Sequence, residues 1–142
     1  MKDKTTGKLN ELLRGELSAI ETYLQAINGS DTKSVHFLTQ IKDEHVNSAN
    51  MIREHIHQMG GEPDQGSGVW GAFAKAVEGT ATAVGSKLAL QALKYGEETG
   101  VKSYESALKQ TLPMECQQMI ESQLLPQTRN HVELLERIIS TV

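Results

Sequence analysis

The sequence predicts an all-α protein, a four-helix bundle of two antiparallel helical hairpins joined by a long crossover that contains a short helix. Two observations carry this reading. Apolar residues recur at three- and four-residue steps in four separate segments, and the connections between those segments run short, long, short. The 142 residues suffice for one domain, and with 38% hydrophobic but only 4% aromatic residues the core must be aliphatic. The expected organisation is a single domain over residues 1–142, with a first hairpin over 7–59, a crossover over 60–85 and a second hairpin over 86–140.

Helix 1 is expected over residues 7–28, where Leu9, Leu12, Leu13, Leu17, Ile20, Leu24 and Ile27 form one stripe before Asn28-Gly29-Ser30-Asp31 supplies turn and cap residues. Helix 2, over 32–59, follows Leu38, Ile41, Ala49, Ile52, Ile56 and Met59 until Gly60-Gly61-Glu62-Pro63 stops it. Leu90, Leu93, Val101 and Leu108 mark a third helix ending before Thr111-Leu112-Pro113. Cys116, Ile120, Leu124, Leu134, Leu135 and Ile138 mark a fourth that runs almost to the C-terminus. Pro113 suits a helix start, whereas Pro126 falls inside the fourth helix and should kink it. Between helices 2 and 3 the chain is rich in Gly, Ala, Ser and Thr, and Trp70, Phe73, Ala74 and Val77 suggest a short amphipathic helix.

Fourteen Lys plus Arg against eighteen Asp plus Glu give a net charge of −4, which leaves no basic excess for nucleic acid or anionic membranes. No run approaches the roughly 20 apolar residues of a membrane span, and the charged start of the chain leads into an amphipathic stretch unlike a signal peptide. The single cysteine, Cys116, rules out an intramolecular disulfide and Cys-rich metal sites, and it suits a reducing cytoplasm. In an apolar stripe it reads as a small core residue.

Helical wheels at about 100° per residue place four ionisable residues on apolar stripes. Glu16, His45, Glu97 and His131 each lie about 20° from an apolar reference residue of their own helix, one per helix. Glu11, Glu21 and Glu54 fall outside the stripes and read as solvated. Burying a carboxylate costs several kcal/mol unless it is paired or bound to metal, so four such placements require a common explanation. Glu16 and His45 are symmetric about the first turn and should face each other. Glu97 and His131 should be offset by about one helical step, with Gln127 nearer the level of Glu97.

An internal repeat supports the grouping. The stretch from Gly15-Glu16 through Tyr23 and Ala26 aligns without gaps to that from Gly96-Glu97 through Tyr104 and Ala107, and helices 2 and 4 match more weakly around His45-Val46 and His131-Val132. Each half thus contributes a Glu, a Tyr and a His at equivalent places.

These residues resemble the ferritin-like superfamily. Within it, the chain is similar to a bacterial ferritin-like family of unassigned function, through Gly96-Glu97, Tyr104, Ala107-Leu108, Leu112-Pro113, Gln123 and Asn130-His131. The resemblance implies the ferritin-like bundle. Di-iron sites of that superfamily take one Glu from each of two helices and a Glu-x-x-His from each of the other two. Glu16, Glu97, His45 and His131 match part of that set. Lys42 and Thr128 stand where the bridging carboxylates would be, which argues against a dinuclear oxidase or ferroxidase centre. The one Glu-x-x-His present, Glu54 to His57, faces away from His45.

Two readings of the four residues follow. In one, they form buried Glu–His pairs, a polar layer that fixes helix register in a cytoplasmic bundle protein without turnover chemistry, for which a role in stress is one expectation. In the other, they hold Fe, Mn or Zn in a redox or metal-handling protein, with Gln127 in support. Tyr23 and Tyr104, seven residues beyond Glu16 and Glu97, should pack with their hydroxyls bonded to neighbours. Trp70 and Phe73 either close one side of the bundle or, on an exposed flank, mark a partner or homodimer surface.

Overall fold

The computed structural model describes residues 2–28, 32–65 and 86–141. All regular structure among them is helical: α1 (Lys2–Asn28), α2 (Thr32–Gln58), α3 (Ser86–Leu108), α4 (Met114–Met119), a π turn (Ile120–Leu124) and α5 (Leu125–Ser140). The short helix expected around Trp70, Phe73, Ala74 and Val77 lies outside the described residues. No described helix is long and apolar enough to cross a membrane.

The expected stripes are the buried faces except at Leu24, which is 47% exposed because it lies at the edge of its stripe near the end of α1. α1 begins five residues earlier than its leucines indicate, because Thr5 extends the stripe by one turn and is itself buried. At the far end of α2, Gly60 adopts φ 76° and its N–H donates to the His57 carbonyl at 2.9 Å, which ends the helix in the left-handed turn glycine favours. The neighbouring Gly61 faces α1 so closely that a Cβ there would come within 2.5 Å of the Thr6 side chain. Asn10 then clamps the departing chain, donating to the Glu62 carbonyl at 3.0 Å and accepting from the Asp64 N–H at 2.8 Å, while Arg14 pairs with Asp64.

These contacts fix the helix directions. The start of α1 meets the end of α2, and Glu16 meets His45 at mid-length, so the two helices are antiparallel. Lys94 with Glu136 (3.3 Å) and Glu97 with His131 show the same for α3 and α5. Tyr23 reaches Glu97 while Tyr104 reaches Glu16, so α1 and α3 are antiparallel as well. Asp64 lies beside the start of α1, whereas Leu90 packs with Tyr23, Ala26 and Leu38 at the other end of the bundle.

The disturbance expected at Pro126 takes the form of the π turn just before it. A proline ring clashes with the carbonyl four residues back and offers no N–H. Here the turn widens, the Leu125 N–H bonds to the Ile120 carbonyl five residues back, and Pro126 sits in the first turn of α5.

Two apolar clusters fill the interior. One contains Leu9, Leu13, Ile52, Ile56, Ile120 and Leu124; the other contains Tyr23, Leu38, Ile41, Leu90, Leu93 and Leu135. On every long helix one ionisable residue falls between the two clusters: Glu16, His45, Glu97 and His131. The apolar clusters supply the cohesion, at about 1.5–3 kcal/mol per fully buried Leu or Ile. The layer between them holds the chemistry.

Candidate metal centre

All four expected residues are buried: Glu16 5% exposed, His45 4%, Glu97 3% and His131 0%. They form one connected chain. His45 lies between two carboxylates, its Nδ1 2.5 Å from Glu16 Oε2 and its Nε2 2.7 Å from Glu97 Oε2. Glu97 turns its other oxygen to His131, whose Nδ1 is 3.3 Å away. The far nitrogen of His131, Nε2, lies 2.6 Å from Glu44 Oε1 on α2. The two imidazole rings are adjacent, with centroids 4.9 Å apart.

The tyrosines cross-brace the two hairpins. Tyr23 of α1 donates its hydroxyl to Glu97 Oε2 at 2.5 Å, and Tyr104 of α3 donates to Glu16 Oε1 at the same distance. Each phenol thus serves the carboxylate of the other helix. Among the described residues no buried side-chain nitrogen or oxygen lacks a partner.

The electrostatics follow from this packing. Burial disfavours a charged His45, but the negative charges of Glu97 and Glu16 and the hydrogen bonds to both outweigh it and hold the imidazole well above its ordinary 6.5. Both ring nitrogens then donate. Burial pushes the Glu97 carboxyl up, yet the charge on His45, the hydrogen bonds from His131 and His45 and the charge on His131 win, so it sits far below the ordinary 4.5. Burial, then the charge of Glu97, raises Tyr23; burial, then the charge of Glu16, raises Tyr104. Both phenols keep their protons and act as donors.

Three of the four expected residues can present ligand atoms to one point. One atom each from His45, Glu97 and His131 lie within 4.8 Å of one another. Glu16 is set apart from this trio, because it occupies Nδ1 of His45, the nitrogen facing away from Glu97. Gln127 joins neither group of carboxylates; it donates to Ser48 Oγ at 2.7 Å. The Glu54–His57 stretch faces outward, Glu54 and His57 exposed and His55 Nδ1 3.1 Å from the Met51 carbonyl. Cys116 is buried, and burial followed by the charge of Glu115 raises its thiol.

Glu44 is the residue that sequence reasoning missed. It precedes His45 and so lies about 100° off the stripe, where it reads as an ordinary solvated acid. It is 34% exposed and enters the site only because α5 brings His131 to that flank of α2. No single-helix pattern could reveal it; the signal lies in the register between helices.

Fold and site define an all-helical bundle protein with a buried glutamate–histidine layer. The chain belongs to the family described as Domain of unknown function (DUF2383), which it matches over residues 4–110. That span includes Glu16, Tyr23, His45, Glu97 and Tyr104, while His131 lies beyond it. No curated protein and no solved structure matches the chain.

Proposed function

We propose that this protein is a ferritin-like bundle that binds one divalent first-row metal ion through His45 Nε2, Glu97 and His131 Nδ1. The observation carrying this reading is the orientation of the two imidazoles. Each directs one nitrogen at Glu97 and gives the other to a separate carboxylate, Glu16 for His45 and Glu44 for His131. Metal-binding histidines characteristically have a carboxylate or carbonyl on the nitrogen that does not bind the metal, which fixes the tautomer and raises basicity. Two imidazoles and a carboxylate suit Fe(II), Zn or Mn. Such an ion, when bound, supplies Lewis-acid or one-electron chemistry. The residues of this chain hold it, aim the ligating nitrogens and keep the tyrosine protons directed at the carboxylates. The site's pseudo-symmetric composition also fits an origin by duplication of one hairpin.

A second reading has its own support. With every buried side-chain polar atom among the described residues already partnered, the layer can stand without metal and fix helix register in a protein with no turnover chemistry. Metal content decides between them. Protein made without a metal-affinity tag should carry, or take up, close to one equivalent of Fe, Zn or Mn, and His131→Ala and Glu97→Ala should lose it. Glu16→Ala should keep the stoichiometry with affinity lowered by about 10- to 100-fold, as for an outer carboxylate. Metal that is absent, or that survives loss of Glu97 and His131, leaves the metal-free layer as the function of these residues.

A further inference from the structure

Between α1 and α3 lies a cavity of about 80 Å³ whose floor is the buried layer itself. Glu16, His45 and Glu97 line it, together with Tyr23 and Tyr104, and so does the exposed Glu11, which carries it to the surface. A water needs roughly 10–15 Å³ of such space, so the cavity has room for several waters or a partly hydrated ion. Small residues on the facing helices keep it open. The clearest is Gly15, where a Cβ would meet nothing within 4 Å.

The lining contains carboxylates, phenols and the hydroxyls of Ser18, Thr22, Ser103 and Thr128, and neither Lys nor Arg. Most of the wall is apolar, with Leu12, Ala19 and Leu93 among its residues, and its polar side chains are mainly oxygen-bearing with acidic groups and no basic chain, which favours a cation over an anion. On the opposite flank Glu44 covers His131 and Gln127 bonds to Ser48. We infer that the α1–α3 cavity is the port through which a divalent cation reaches and leaves His45, Glu97 and His131, so that the bound ion is exchangeable. This rests on the metal reading above. Two of the three ligands of that reading face the port, and Glu11, Glu16 and Glu97 provide successive anionic steps from the surface inward.

The test is the rate of loading, measured on the full chain stripped of metal and mixed with Co(II), whose visible absorption reports tetrahedral or five-coordinate binding. Gly15→Val places a branched side chain in the void. It should slow Co(II) uptake and chelator-driven release by roughly tenfold while leaving the final stoichiometry unchanged, because passage then requires the helices to part. Gly15→Ala, which adds a single carbon in open space, should slow both steps less and guards against misfolding of the valine variant. Gly7→Val is the matched control. It makes the same substitution on the same helix, at a site also free of contacts within 4 Å but outside the cavity, and should load at the wild-type rate. Unchanged rates in both Gly15 variants, with stoichiometric binding, overturn the port and leave the metal centre standing. Failure of the wild-type protein to bind Co(II) overturns the metal reading and the port together.

Discussion

The two hairpins place the same three residue types in the layer yet use them differently. In the first, His45 is held on both sides by buried carboxylates, Glu16 at 2.5 Å and Glu97 at 2.7 Å. In the second, His131 has one long contact with buried Glu97, 3.3 Å, and one short contact with the half-exposed Glu44, 2.6 Å. The Tyr–Glu braces match across the halves, as do the Nδ1 contacts of each histidine with the Glu of its own hairpin. The Nε2 contacts do not match. Position 44 is a glutamate where the second half has Asn130, and that acid takes up His131 Nε2. One difference beside the stripe thus gives the second histidine a part-exposed partner where the first has only buried ones.

The sharpest way to break this comparison is to remove each histidine in turn from the metal-free protein. His45→Ala takes the shared imidazole from two buried carboxylates and leaves Glu16 with Tyr104 alone, and removing one partner from a buried ion pair costs about 3–5 kcal/mol. His131→Ala leaves Glu97 bonded to His45 and Tyr23 and leaves Glu44 to water, so it should cost less, about 1–3 kcal/mol. Urea unfolding of the two variants measures the difference. Equal losses would mean that the two histidines are energetically equivalent after all.

The legibility of the site divides along the same line. Glu16, His45, Glu97 and His131 were visible because a charged residue on an apolar stripe is costly and therefore conspicuous, and each helix shows one. The hairpins were legible for a similar reason, since Leu9 to Ile27 and Leu38 to Met59 keep helical spacing up to strong stop signals. Three things were not visible. Glu44 lies off its stripe. The π turn at Ile120–Leu124 replaces a simple kink at Pro126, because a helix can widen as well as bend around a proline. The exchange of tyrosines, Tyr23 to Glu97 and Tyr104 to Glu16, depends on the register of α1 against α3, which no single-helix pattern contains.

A change of pH should act next most strongly, and again mainly through His45. Its folded-state value is raised, so its contribution to the stability of the metal-free protein is complete below about 6.5 and is lost as pH rises from there through the raised value. Glu97 is depressed, so its contribution is complete above about 4.5 and is lost as pH falls from there toward its folded value. Metal-free protein should therefore be most stable between these limits, with an alkaline decline that His45→Gln flattens. Neutralising the ring costs less than deleting it, since the neutral imidazole still fills its space and donates one bond. Thermal melts in chelating buffer across this range provide the check; an alkaline decline that survives His45→Gln would assign it to another group.

The braces offer a finer contrast. Glu97 Oε2 accepts from both Tyr23 and His45, whereas Glu16 Oε1 has Tyr104 as its donor. Tyr104→Phe should leave that buried oxygen unsatisfied at about 1–3 kcal/mol, and Tyr23→Phe should cost the more usual ~1 kcal/mol of a lost hydrogen bond. Similar denaturation midpoints for the two variants would show that the second acceptor contact of Glu97 contributes little.

The smallest effect separates the two helices that line the cavity. Glycine inside a helix is less stable than alanine by about 0.5–1 kcal/mol, through backbone entropy. At Gly15 the added methyl meets nothing within 4 Å, so Gly15→Ala should stabilise the protein by about that amount. At Gly100 on α3 the same carbon would lie 3.3 Å from Thr128 Cγ2, one turn before His131 on α5. Thr128 is buried and its hydroxyl is tied to the Leu124 carbonyl at 2.8 Å, so it has little freedom to yield. Gly100→Ala should therefore gain less than Gly15→Ala, or lose stability as α3 and α5 are pushed apart beside the site. Equal gains at both positions in thermal melts would show that Thr128 yields to the added carbon at Gly100 as readily as the open space beside Gly15 accepts it.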